Sequence, residues 1–104
     1  MRQTWELSHE QVGDARVIRA AGKFDREAGV AVEALVARGS RCVLNLARVD
    51  YISSSGVAEL VRLATRFGVK LASPAQCVQD VLHLAGIAQL VPIHADERDA
   101  LDAS

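Results

Sequence analysis

The feature that most constrains the fold is one continuous stretch. A short apolar, β-branched run, Arg41-Cys42-Val43-Leu44-Asn45-Leu46, leads into Val49-Asp50-Tyr51-Ile52, then into Ser53-Ser54-Ser55-Gly56, and then into a helical pattern. The apolar run is what a central strand covered on both faces requires. Past the serines, Val57, Leu60, Val61 and Ala64 recur at i, i+3, i+4 and i+7, while Glu59, Arg62 and Arg66 fall on the opposite, wetted side. The stretch therefore reads as a strand, a serine loop and an amphipathic helix. Ser54 or Ser55 can supply the N-cap, and Gly56 removes a Cβ where the chain turns or a partner approaches.

The flanking sequence extends the same alternation. Thr4 to Ser8 and Ala15 to Ala21 read as strands joined through Val12-Gly13-Asp14. Asp25 caps a helix over Arg26 to Arg38, with Ala28, Val32, Leu35 and Val36 on its buried face and Gly39 as its stop. Val69 to Ala72 is a short strand, and Ser73-Pro74 opens the next helix as cap and first-turn proline, with Val78, Val81, Leu82 and Ala85 buried before Gly86. Leu90 to Ile93 is a last strand and Asp96 to Leu101 a closing helix. Strands alternating with helices after an N-terminal hairpin predict an α/β fold: a mixed, mostly parallel sheet of about five strands with about four helices covering it. The 104 residues, half of them apolar, suffice for one core, so residues 1–104 are expected to form one domain.

Composition excludes several classes of function. A formal net charge of −1 supplies no general attraction for a phosphate backbone, and no basic stripe is interleaved with the scattered Trp5, Phe24, Tyr51 and Phe67, so no nucleic-acid partner is expected. No apolar run approaches the roughly 20 residues that cross a bilayer, and no secretory leader follows Met1, which predicts a cytoplasmic protein without direct membrane insertion. Cys42 and Cys77, in apolar surroundings and without CxxC spacing, read as buried reduced thiols. The acidic run Asp96, Glu97, Asp99 and Asp102 reads as a solvated face complementing a helix dipole. His9, His83 and His94 lack ligand spacing, and no GxxxxGK[ST], GxGxxG or GxSxG segment is present. The serines have no base beside them in sequence, and a hydroxyl without one is a weak nucleophile. No catalysis, metal or cofactor is expected.

Tyr51-Ile52-Ser53-Ser54-Ser55-Gly56-Val57 followed by Glu59-Leu60, with Leu44-Asn45-Leu46 and Asp50 before it, resembles the bacterial anti-sigma-factor antagonists of the STAS domain family. So do Gly22-Lys23-Phe24-Asp25 opening a helix, Leu71-Ala72-Ser73-Pro74 before another, and Val81-Leu82-His83-Leu84-Ala85-Gly86-Ile87 after it. The resemblance implies a protein that binds an anti-sigma serine kinase while unphosphorylated, is released when that kinase phosphorylates it, and is reset by a serine phosphatase. The family acceptor lies two places before the glycine. That position is Ser54, with Ser53 and Ser55 as alternatives, and the implied partner-binding residues are Asp25, Ser53, Ser54, Ser55 and Gly56. The chain departs from the pattern at Ser53, where many members carry aspartate, and at Lys23, where an acidic residue is common. A second role compatible with the resemblance is a STAS docking subunit of a membrane lipid ABC transport complex, with the serines acting only as caps.

Overall fold

A computed structural model of the protein describes residues 4–36 and 41–103. The described residues form strands β1 (Trp5–Val12), β2 (Ala15–Phe24), β3 (Arg41–Ile52), β4 (Lys70–Ala72) and β5 (Ile93–His94). They also form helices α1 (Arg26–Leu35), α2 (Ser54–Phe67), α3 (Gln76–Leu84) and α4 (Glu97–Asp102). β1 and β2 pair antiparallel across the two-residue turn Gly13-Asp14, where Gly13 takes a φ of 61°. The remaining strands pair in parallel, in the order β1-β2-β3-β4-β5. The expected α/β architecture, with its N-terminal hairpin and mixed sheet, is the one observed.

Sequential strand order has a direct consequence. Every βαβ crossover steps the same way across the sheet, so the right-handed rule places α1, α2 and α3 on one face. Ile18, Phe24, Leu44 and Leu71 of the sheet bury there against Val32, Leu60, Leu63 and Val78 of these helices. α4, after the last strand, crosses to the other face, where Ala100 closes on Val17, Val43 and Ala72.

Several boundaries differ from the sequence reading, each for a packing reason. β2 was expected to stop at Ala21 and β3 at Leu46; they run to Phe24 and Ile52. Irregularities in register between Arg19 and Ala21 and between Gly22 and Lys23 let the two strands stay paired to their ends. α1 ends at Leu35, whose carbonyl accepts from Arg16 Nη1 at 2.7 Å, with Val36 already extended; the expected continuation to Arg38 and the stop at Gly39 lie outside the described residues. Ser73 does not cap α3. Its N–H donates to His94 O at 3.0 Å as an extension of the β4–β5 edge, its φ is 53°, and α3 starts at Gln76 behind Ala75 without a side-chain cap. The last strand begins at Ile93 rather than Leu90, because Ile87–Gln89 form a 3-10 turn.

Burial departs from the helical-wheel reading on α2. Leu63, outside the expected stripe, is fully buried, while Val57, Val61 and Ala64 are half-buried. Glu59 and Arg62 are not simply wetted: Arg62 donates to Glu59 at 2.8 Å and to Glu33 of α1. Gly29 permits this approach, since a Cβ there would overlap the Glu59 side chain. Cys77 is exposed, not buried, with its Sγ 3.4 Å from Val49 O; Cys42 is buried as expected.

Candidate functional site

β2 and β3 run side by side in parallel and each feeds a helix from its carboxyl end, so the N-termini of α1 and α2 emerge together at one edge of the sheet. Asp25 is the N-cap of α1; its carboxylate accepts from Ala28 N at 3.0 Å and its carbonyl from Gly29 N at 3.0 Å. The cap of α2 is Ser53, rather than Ser54 or Ser55: its backbone is extended and its Oγ accepts from Gly56 N at 3.0 Å. Because β3 continues to Ile52, the serine loop has contracted to this one residue. Ser53 N–H donates to Phe24 O at 3.0 Å, tying the entrance of α2 to the end of β2.

The same contact explains Gly56. A Cβ at that position would collide with the Phe24 carbonyl, so the glycine lets the first turn of α2 sit directly on β2. Gly56 is itself buried and presents no side chain.

Register along the helix gives the serines different environments. Ser53 Oγ is occupied as a cap and lies 3.0 Å from Ser55 Oγ, so these two hydroxyls share a hydrogen bond. Ser54, the first residue of the helix, is exposed and its hydroxyl makes no hydrogen bond among the described residues. Asp25, Ser53 and Ser55 come together around one shallow depression that Lys23, Arg26 and Glu27 complete, and Ser54 stands exposed beside it.

Sequence reasoning named Lys23 and Tyr51 separately and did not pair them. Lys23 and Tyr51 are cross-strand partners, and the Lys23 ammonium lies 5.7 Å from the centre of the Tyr51 ring, which is 54% exposed. Their pairing lies beyond the ends, Ala21 and Leu46, that the sequence reading gave to β2 and β3. No cluster of side chains suited to a metal occurs among the described residues, and no described helix is long and apolar enough to cross a membrane.

A family model for the STAS domain matches residues 7–100. Among solved structures, an anti-sigma factor antagonist from Mycobacterium paratuberculosis superposes with a TM-score of 0.81 at 21% identity, over 93% of this chain and 91% of that chain. The anti-sigma factor antagonist SpoIIAA in its unphosphorylated form gives a TM-score of 0.68 at 24% identity, over 93% of this chain and 94% of that one. SpoIIAA in its phosphorylated form, a Bacillus cell fate determinant, gives 0.64 at 23% identity, over 93% and 97%. No curated protein sequence matches the chain at a significant level.

Proposed function

This chain belongs to the STAS domain family, and on that premise we propose that it is an anti-sigma-factor antagonist working by partner switching. In this reading the unphosphorylated protein occupies an anti-sigma serine kinase in the cytoplasm, phosphorylation of Ser54 by that kinase ends the association, and a serine phosphatase restores it. The chain itself performs no catalysis. The observation that carries the proposal is the free, exposed hydroxyl of Ser54 between two hydroxyls engaged with each other.

The local geometry supports a switch that needs no refolding. A phosphate on Ser54 adds a charge of about −1.5 to −2 at the first position of a helix, where unpaired N–H groups and the helix dipole favour an anion. The cap bond from Gly56 to Ser53 is left untouched, so α2 keeps its start. The same charge, projecting from an exposed position into a packed partner interface, is costly there unless a cation meets it. Asp25, anchored by its own cap bond beside the serines, serves as the fixed acidic contact of that interface.

Phosphopeptide mapping after incubation with the cognate kinase and ATP tests the assignment. Ser54→Ala is expected to fold, bind the kinase persistently and accept no phosphate, while Ser54→Asp folds and binds poorly. Asp25→Ala should lose kinase affinity by more than the about 0.5 to 2 kcal/mol that a lost cap removes from folding. Phosphate on Ser53 or Ser55 would overturn the choice of residue. Absence of phosphate with every cellular kinase, together with stable co-purification of a transporter ATPase, would replace the switch by the docking-subunit role.

A further inference from the structure

β1 lies at one edge of the sheet, and the phase of its hydrogen bonds decides what it presents to solvent. Lys23 N–H donates to Thr4 O at 3.0 Å, and from there β1 and β2 stay in register without a bulge as far as Val12 and Ala15. Backbone groups alternate sides along an antiparallel strand. Thr4, Glu6, Ser8, Glu10 and Val12 therefore turn their N–H and C=O toward β2, which leaves those of Leu7, His9 and Gln11 pointing away from the sheet. Among the described residues no strand pairs with that side of β1.

A sheet edge of this kind is a template for another strand unless something blunts it. The opposite edge is blunted by its length, β5 having only two residues. β1 has eight, is exposed from Ser8 to Val12, and carries neither proline nor lysine. Its two glutamates, Glu6 and Glu10, decide which strand can join it, because like charges directly opposite each other across a strand pair are destabilising.

We propose that the β1 edge pairs with the β1 edge of a second copy of the chain, antiparallel about a two-fold axis at His9. Leu7 then exchanges backbone hydrogen bonds with Gln11 of the second copy, and His9 with its counterpart. Only this axis pairs the three outward residues with one another. Ser8 lies opposite Glu10 and Glu6 opposite Val12, so no two carboxylates meet. An axis one residue away, at Ser8 or at Glu10, would set Glu6 against Glu10 or Glu10 against itself. Charge favours the same register. Ser8 stands between its β2 neighbour Arg19 and Glu10 of the second copy, and at about 4.8 Å per strand step the two long side chains reach across the small serine. Arg19 already meets Glu10 of its own chain at 2.6 Å, so in the dimer each Glu10 lies between two guanidinium groups.

Sedimentation equilibrium of the full chain tests this, with ¹⁵N spectra recorded over the same concentrations. The expected result is a reversible monomer–dimer equilibrium with concentration-dependent shifts centred on the amides of Leu7, His9 and Gln11. In a mixed ¹³C-labelled and unlabelled sample, a filtered nuclear Overhauser contact between the α protons of Ser8 and Glu10 marks the register, since these residues form a close, non-hydrogen-bonded pair. Ser8→Glu should weaken self-association about tenfold, because symmetry creates two opposed carboxylate pairs at once. His9→Pro removes only an outward N–H and should abolish pairing; its spectrum verifies folding, and Ser8→Glu decides the matter if the proline variant unfolds. A chain that stays monomeric at millimolar concentration, a dimer whose shifts lie elsewhere, or one indifferent to Ser8→Glu would each overturn the proposal. So would shifts at the same amides with an alternating Thr-Val peptide when the chain alone stays monomeric, which would give the edge to a foreign strand.

Discussion

Three adjacent serines of equal chemistry acquire three different tasks from their position at the start of one helix. Ser53 closes the orphan N–H of Gly56, Ser55 leans on Ser53, and Ser54 is left over. Ser53→Ala should therefore lower the unfolding free energy by about 1 kcal/mol, while Ser54→Ala changes it by less than about 0.5 kcal/mol, as urea denaturation would measure. Equal losses would mean that the cap is shared. A second residue-scale effect sits at Ser73, held at a φ of 53° although it carries a Cβ. A side chain in the left-handed region costs roughly 1 to 2 kcal/mol, against the about 0.5 to 1 kcal/mol of extra chain entropy that glycine loses on folding. Ser73→Gly is thus expected to raise the melting temperature; an unchanged or lowered value would show that the serine side chain offsets its own strain.

At the scale of elements, the helices are attached in different ways. α1 and α2 are joined by the Gly29–Glu59 approach and the Arg62 bridge to Glu33, over a continuous apolar core. α4 has little apolar surface to bury and depends on polar clamps. Glu97 accepts from both Arg19 Nε and Nη2, at 2.8 and 2.9 Å, and from Asn45 Nδ2, while Arg41 donates to the Leu101 carbonyl. The Arg19 hydrogen bonds hold the Glu97 carboxyl below its ordinary value of 4.5, and the Asn45 bond adds to this against the opposing effect of burial. A carboxylate depressed in the folded state contributes stability that is present above its unfolded pKa and is lost as pH falls through the folded one. Acidification below about pH 4.5 should therefore loosen α4 first, seen as faster amide exchange at residues 99–102. Glu97→Gln should be less stable at neutral pH and show a shallower acid slope; a parallel slope would place the acid sensitivity elsewhere.

Across the whole molecule, strand order without reversal sends α1, α2 and α3 to one face and leaves two poles joined by the length of α2. Open α/β sheets bind ligands in the crevice formed where strand order reverses. Here the order never reverses, and the N-termini of α1 and α2 at the serine pole border a shallow depression. The two cysteines provide a readout of the intact fold. Cys42 is 2% exposed and burial pushes its thiol up to about 11, whereas Cys77 is exposed at the start of α3. Alkylation near pH 8 should modify Cys77 rapidly and Cys42 only through global opening, because the thiolate is the reactive form and Cys42 keeps its proton. Simultaneous modification of both would indicate local opening of β3.

Hydrophobic periodicity, with local turn and cap residues, was enough to establish the α/β alternation, the hairpin, the helix cap at Asp25 and the serine stretch ahead of an amphipathic helix, since these follow from residues within a few neighbouring turns or strand steps. What lay beyond it were features that depend on residues distant in the chain. β3 extends to Ile52 because β2 is there to pair with it, and that extension shifts the cap from Ser54 or Ser55 to Ser53. Gly29 and Gly56 read as ordinary helical glycines until Glu59 and the Phe24 carbonyl arrive against them. Glu97 looks like one acid in a solvated run until Arg19 and Asn45 close on it. The sequence determined which elements form because local pattern decides local burial; only the tertiary structure decided where each begins and which hydroxyl stays free, because those depend on which backbone groups another element has already satisfied.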